Sequence, residues 1–344
     1  KLTSTHLDAN QRWMLNNIMG KQIYRWDSRS FRAHHTYDAL QRPHALYLQQ
    51  EQNAQEALVE CVVYGEVHPD ANPPAPNQPA PNQLNLRGRA FLQIDSAGVV
   101  TNVGKNEQSG LDEAYSFAGD LLHSSRRLAK TYQQTPDWSA LATLLLIEPP
   151  KILDLGALEN ALKPLLEGDT FASSSTYDAL HRVVSMTAPD SSVLQPSYDE
   201  SGRLASMGGK LRGANTLTPL VTLIDYNARG QRAQIAYGNA VTTSHEYEPA
   251  TFRLSHLSTA RNNASSAMLQ DLRYTYDPSG NVANIHDQAQ QTFFFNNQLA
   301  VPEHTYTYDA IYRLIGATGR EHIGQAGQPQ TTSDDRARLN QPLP

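Results

Sequence analysis

A short motif returns along this chain, and it leaves few folds open: an aromatic residue, a short polar residue, then usually a small residue and an Arg. The clearest copies are Tyr198-Asp199-Glu200-Ser201-Gly202-Arg203-Leu204, Tyr276-Asp277-Pro278-Ser279-Gly280 and Tyr177-Asp178-Ala179-Leu180-His181-Arg182-Val183. Self-similarity of this kind fixes an architecture before any single side chain is interpreted. Asp at the first position of a type I turn accepts hydrogen bonds from the backbone that follows it, Pro suits the second position and Gly the fourth. Asp277-Pro278-Ser279-Gly280 meets all three preferences, while Tyr226-Asn227-Ala228-Arg229-Gly230 and Asp95-Ser96-Ala97-Gly98 meet those for Asx and Gly. These polar residues read as hairpin turns, not as catalytic groups.

Weaker copies are Trp26-Asp27-Ser28-Arg29-Ser30, Tyr37-Asp38-Ala39-Leu40-Gln41-Arg42, Tyr115-Ser116-Phe117-Ala118-Gly119, Tyr247-Glu248-Pro249 and Tyr308-Asp309-Ala310-Ile311-Tyr312-Arg313. Where Gln41, His181 or Tyr312 stands in place of Gly, a positive φ costs energy, so those loops are expected to be tighter or differently wound. The Arg that closes a turn is expected to pair with an Asp of the adjacent repeat, worth about 0 to 1 kcal/mol if exposed.

Motif positions 95 and 116, 178 and 199, and 227 and 248 share one interval of 21 residues. A second turn signal sits near the middle of each unit, at Gly104-Lys105-Asn106, Pro189-Asp190-Ser191 and Gly238-Asn239. Each unit is therefore a strand, a turn, a return strand and another turn, with strands of roughly 6 to 8 residues. Val221-Thr222-Leu223-Ile224-Asp225-Tyr226 and Leu272-Arg273-Tyr274-Thr275-Tyr276 carry the β-branched and aromatic residues expected of strands. With 16 Tyr against 8 Phe, and Tyr repeatedly placed just before a turn, the ring is expected to pack on the next hairpin with its hydroxyl at a wet rim.

Two segments depart from the repeat. The Pro-rich stretch at 68–82 reads as an exposed polyproline-II loop, because Pro removes donors that a ladder needs. From 133 to 170 the period of two disappears, and Leu155, Leu158, Leu162 and Leu165 approximate one helical face that Pro149, Pro150 and Pro164 divide into short helices. The expected organisation is a repeat segment at 1–132, a small helical insertion at 133–170, a second repeat segment at 171–324 and an irregular tail at 325–344. Lys1 in place of Met, with no signal-peptide pattern after it, and the abrupt Pro344 read as an excerpt of a longer chain.

Arg residues are dispersed and the net charge is −6, so no electrostatic footprint for nucleic acid is present. The single Cys61 excludes an intrachain disulfide framework and a Cys-rich metal site. The longest apolar run, Leu141 to Ile147, is far short of the roughly 20 residues of a membrane helix. No H-x-x-x-H, G-x-S-x-G or G-x-G-x-x-G pattern occurs, so neither metal nor cofactor is expected. Paired carboxylates of the glycosidase kind are available in principle at Asp199-Glu200, Asp112-Glu113 and Glu246 with Glu248, although turn position already explains Asp199 and Glu248.

Repeats of the form Tyr-Asp-x-x-Gly-Arg-Leu define the YD or Rhs (rearrangement hot spot) family, which this chain resembles over most of its length. Ordered blocks resemble more closely the B component of bacterial insecticidal toxin complexes: Trp26-Asp27-Ser28-Arg29, Thr36-Tyr37-Asp38-Ala39-Leu40, Leu84-Asn85-Leu86-Arg87-Gly88, Asp120-Leu121-Leu122-His123-Ser124-Ser125-Arg126-Arg127-Leu128-Ala129 and Asp271-Leu272-Arg273-Tyr274-Thr275-Tyr276-Asp277-Pro278. Tyr306-Thr307-Tyr308-Asp309-Ala310-Ile311-Tyr312-Arg313-Leu314 and Ala317-Thr318-Gly319-Arg320-Glu321-His322 extend the match.

The resemblance implies a mainly β fold, a long antiparallel sheet of hairpins wound as part of a hollow shell. With a C component, such a shell encloses an effector polypeptide, and a β-propeller of the B component docks to a pore-forming A component. Neither a propeller-length region nor the aspartyl self-cleavage core of C components is found here, so the expected role is non-catalytic shell wall in a secreted complex, without membrane insertion by this segment. The alternatives are an extracellular YD-repeat module for adhesion or carbohydrate binding and, third, a carbohydrate-active enzyme.

Overall fold

The computed structural model describes residues 3–6, 10–50, 55–71, 84–106, 109–262, 268–295 and 298–320. Most of the Pro-rich stretch, from 72 to 83, and the tail beyond 320 lie outside the described residues.

Among the described residues, twenty-one strands form one antiparallel sheet, and 104–105 with 112–113 and 293–295 with 298–300 make two separate two-stranded ribbons. Sequence neighbours pair, as alternating strands separated by tight turns must. Gln22–Asp27 pairs with Arg32–Tyr37, which pairs with Pro43–Gln49, and the meander continues through Ala57–Tyr64, Ala90–Asp95 and Gly98–Thr101. His123–Leu128 then bridges Gly98–Thr101 and Phe171–Tyr177.

One irregularity repeats with the motif. The register shifts between Thr36 and Tyr37, Val63 and Tyr64, Thr176 and Tyr177, Asp225 and Tyr226, Thr275 and Tyr276, and Thr307 and Tyr308. In each case one residue of the return strand is skipped; Tyr276 faces Val282 and Thr275 faces Asn284, so Ala283 is left over. A bulge of this kind bends its strand and increases local twist. The repeat therefore builds curvature as well as length.

By compactness the chain divides into two units, Lys1–Pro196 with Gly209–Leu217, and Ser197–Gly208 with Thr218–Pro344. The first has a hydrophobic core. A 3-10 turn at Ser139–Leu141 and helices at Ala142–Leu145 and Leu155–Leu162 bring Trp138, Leu141, Leu145, Leu158 and Leu162 against Leu58, Cys61, Val63, Ile94 and Val99 of the sheet. Burying a side chain of this size contributes roughly 1.5 to 3 kcal/mol. Polar contacts fix the docking: the Leu58 carbonyl accepts from the Trp138 amide at 2.8 Å, the Leu58 amide donates to Ser139 Oγ at 3.0 Å, and Trp138 Nε1 donates to the Asp95 carbonyl at 3.2 Å.

Asp154 caps the second helix by accepting from the Ala157 amide at 2.9 Å, the usual role of Asp at that position. Leu158 and Leu162 point into the core, but Leu155 and Leu165 remain 36% and 39% exposed. The four-leucine face is thus half realised, because the helix ends at Leu162, ahead of Pro164, and the chain turns before Leu165.

The second unit has no comparable core among its described residues. Its buried side chains, such as Ile224, Val241, Thr243, His256 and Asp287, are scattered along strands that are otherwise half-buried or exposed. It is a bare sheet, held by its ladders and its turns.

Candidate functional site

The repeated turns organise their side chains in one recurrent pattern. Asp38 Oδ1 accepts from the Arg42 amide at 2.7 Å and Oδ2 from Arg42 Nε at 2.6 Å. The same pair of bonds joins Asp178 to Arg182, Asp199 to Arg203 and Asp309 to Arg313. At Asp277 the closing residue is Asn281, whose Nδ2 takes the place of the guanidinium at 2.7 Å; Asn227 Oδ1 likewise accepts from the Gln231 amide, but there the side-chain bond is reversed, Asn227 Nδ2 donating to Gln231 Oε1 at 3.0 Å. The Arg therefore pairs with the Asp of its own turn, which corrects the expected pairing with the adjacent repeat. Five-residue closure puts the two groups side by side without crossing a strand.

The turn is also uniform where Gly is missing. Gly202, Gly230 and Gly280 have φ of 79°, 78° and 103°, while Gln41, His181 and Tyr312 adopt 61°, 62° and 63°. These loops are neither tighter nor differently wound. The left-handed conformation costs an ordinary residue about 1 to 2 kcal/mol, and the bonds gathered by the Asp hold it there.

Tyrosine joins one turn to the previous one. The phenolic hydroxyls of Tyr37, Tyr64, Tyr115 and Tyr177 donate to the carbonyls of Gln22, Pro43, Ala90 and Leu121. Those of Tyr226, Tyr247, Tyr276 and Tyr308 donate to Leu204, Arg232, Leu254 and Val282, and all eight bonds fall between 2.8 and 3.1 Å. The acceptor is always the residue after the one that closes the preceding turn. The expected wet rim is therefore, at these positions, a backbone bond. The closing Arg also lies over the ring that reaches it: Arg42 is 3.7 Å from the Tyr64 centroid and Arg203 4.5 Å from that of Tyr226. Each such Tyr is gripped at both its face and its hydroxyl.

The carboxylates are committed to this framework. The Arg182 side chain holds Asp178 below the usual carboxylate range, and amide bonds from Arg203 and Arg313 do the same for Asp199 and Asp309. Glu248 is lowered by the Thr251 side chain. Glu246 lies 3.3 Å from His256 Nδ1, whose Nε2 is 2.6 Å from Asp271, while Glu113 accepts from Asn106 and Asp112 faces Lys105 at 3.6 Å. A general acid needs a raised carboxyl, and every Asp or Glu with a displaced titration among the described residues is displaced downward. Among the described residues no three His, Cys, Asp or Glu groups converge as metal ligands, and no helix is long and apolar enough to cross a membrane.

Within each unit, Tyr hydroxyls thus bind motif turns singled out in the sequence to the turns before them. The reading by sequence missed the carbonyls they bind and the bulges beside them, because neither leaves a residue-type signature.

No protein-family model matches the chain. It is 32% identical over 260 residues to toxin subunit YenC2 of Yersinia entomophaga, and 38% identical over 181 residues to toxin subunit YenC1 of the same organism. These alignments cover 74% and 52% of the chain. Among solved structures, the Photorhabdus luminescens Tc holotoxin pore matches 93% of the chain with a TM-score of 0.69 at 29% identity, and the TcdB2-TccC3 crystal structure matches with 0.68 at 29%. The chain is a homologue of toxin-complex subunits. It spans 24% of the length of YenC2, 18% of YenC1 and 13% of the matched holotoxin chain. The antiparallel repeat sheet of this toxin-subunit homologue is the architecture that those structures share. The ordered sequence blocks resemble a B component, and the curated relatives are named YenC, so the likeness extends to subunits bearing that name.

Proposed function

We propose that this homologue is a wall segment of a toxin-complex shell that encloses a toxic effector polypeptide and helps deliver it, without catalysing a reaction itself. The observation that carries this reading is the second unit: a long, repeatedly bulged sheet whose described residues make no core of their own. Such a sheet is suited to separating two spaces. The partners are the other subunits of the complex and the enclosed chain, and the complex acts outside the cell that makes it.

His304 and Thr305 are adjacent in the strand Glu303–Tyr308, both are exposed and they pair in unbroken register with Ile285 and Asn284, so they point to opposite faces. In the complete assembly, a cysteine placed at one of them is expected to react with a small maleimide but not with a large polymer-linked one, while the other reacts with both. Cys61 adds little background, since burial pushes its thiol up to about 12. Equal reaction of both positions with the large reagent would rule out a wall.

A further inference from the structure

The chain has three Trp, and they have separate fates. Trp138 is in the core, whereas Trp13 and Trp26 stand opposite each other on neighbouring strands with ring centroids 6.3 Å apart and planes within 12°. Trp26 is 37% exposed. Tyr24 shares their face and stacks on His34 at 4.4 Å, which in turn stacks on Tyr47 at 5.7 Å. The result is a row of rings across four successive strands.

The polar groups around this row are held in place. The Arg32 guanidinium lies 4.5 Å from the Tyr24 centroid and is bound to Glu56 at 3.1 Å, and the same carboxylate takes His34 Nδ1 at 3.1 Å. Trp13, Leu15, Tyr24, Trp26, Arg32 and Gln49, together with Asp27, Ser28 and Ser30, line an open cavity of about 600 Å³. That volume falls in the range of small-molecule sites.

We infer that this cavity binds a neutral oligosaccharide. A pyranose ring offers an apolar C–H face bordered by hydroxyls that both donate and accept, and the cavity offers flat rings bordered by an amide, a carboxylate, hydroxyls and a guanidinium. Glu56 neutralises Arg32, so an anionic ligand gains no advantage. An apolar peptide side chain would desolvate the polar margin without adding a hydrogen bond to it. The geometry favours β-linked sugars with equatorial substituents, whose two ring faces are flat. This site does not depend on the shell reading and adds a surface to it.

The test is calorimetric titration of the complete protein with cellotetraose, alongside an array of neutral glycans. Saturable binding of cellotetraose or another neutral β-linked glycan, weakened at least tenfold by Trp26→Ala, is the expected result. If Trp26→Ala does not fold, Trp26→Leu serves instead, since it keeps apolar bulk but removes the flat ring and should produce a loss of the same size. No glycan binding by the folded protein, or binding that both variants leave unchanged, would overturn the inference. So would binding of apolar peptides alone.

Discussion

The hydroxyl of Tyr276 donates to the carbonyl of Leu254, 22 residues earlier, at 2.8 Å, and ties two successive turns together. Leu254 directly follows Arg253, whose guanidinium lies 5.5 Å from the Tyr276 ring centroid. One side chain thus fastens a hairpin to its predecessor at the point where the next bulge begins. Because the same arrangement recurs along each unit, the edge of the sheet is a chain of short-range clasps.

Removing one clasp oxygen should weaken the unit without disturbing its shape. Tyr276→Phe, Tyr226→Phe and Tyr308→Phe are each expected to lower stability by about 0.5 to 1.5 kcal/mol, the net worth of a hydrogen bond. Urea unfolding monitored by circular dichroism measures it, and unchanged midpoints in all three variants would remove the clasp from the account.

Acid should loosen the turns. Asp178, Asp199 and Asp309 are held below their unfolded value of about 3.9, so their contribution is fully present above that pH and is lost as pH falls through the folded values. The urea midpoint should stay level with respect to these groups from pH 7 to about 5 and decline below about 4. Replacing all three by Asn, which already serves at position 227, should make the acid decline shallower. An equally steep decline in that variant would assign acid sensitivity to other groups.

Glycine and its substitutes should respond in opposite directions. Gly280→Ala is expected to destabilise by about 1 to 2 kcal/mol, and more if Arg253 does not yield, since a Cβ there would clash with its Nη2. Tyr312→Gly relieves a left-handed Tyr and should be neutral or stabilising by up to about 1 kcal/mol once the greater freedom of the unfolded chain is counted. Thermal melts of both variants decide this, and a marked loss for Tyr312→Gly would show that its side chain has a role of its own.

Trp138→Ala should be the most damaging single change considered. Its indole is 2% exposed and ties the insertion to Asp95, so a loss of roughly 3 to 5 kcal/mol is expected. A loss below about 1 kcal/mol would mean that the insertion is not what stabilises the first unit.

Strand order and turn position were legible in the sequence because both depend on neighbouring residues: Asx and Gly chemistry marks the hairpins, and β-branched residues fill the strands between them. The break in period two marked the insertion, and Pro164 announced the end of its second helix. What could not be read was the set of contacts that cross from one hairpin to the next. Tyr37 meets its carbonyl 15 residues away and Tyr177 56 residues away, distances that no local pattern encodes. Gln41, His181 and Tyr312 misled for the opposite reason, since an intrinsic preference for negative φ is outweighed by the Asp that closes the turn. The ring row at Trp13, Tyr24, Trp26, His34 and Tyr47 became visible only when strand register placed those residues on one face.

Protection of the enclosed polypeptide from protease tests the proposed wall most directly. In the complete assembly, the effector should survive digestion that degrades the same polypeptide when it is released by denaturing the shell. An effector cleaved at equal rates in the intact assembly and after release would contradict the account.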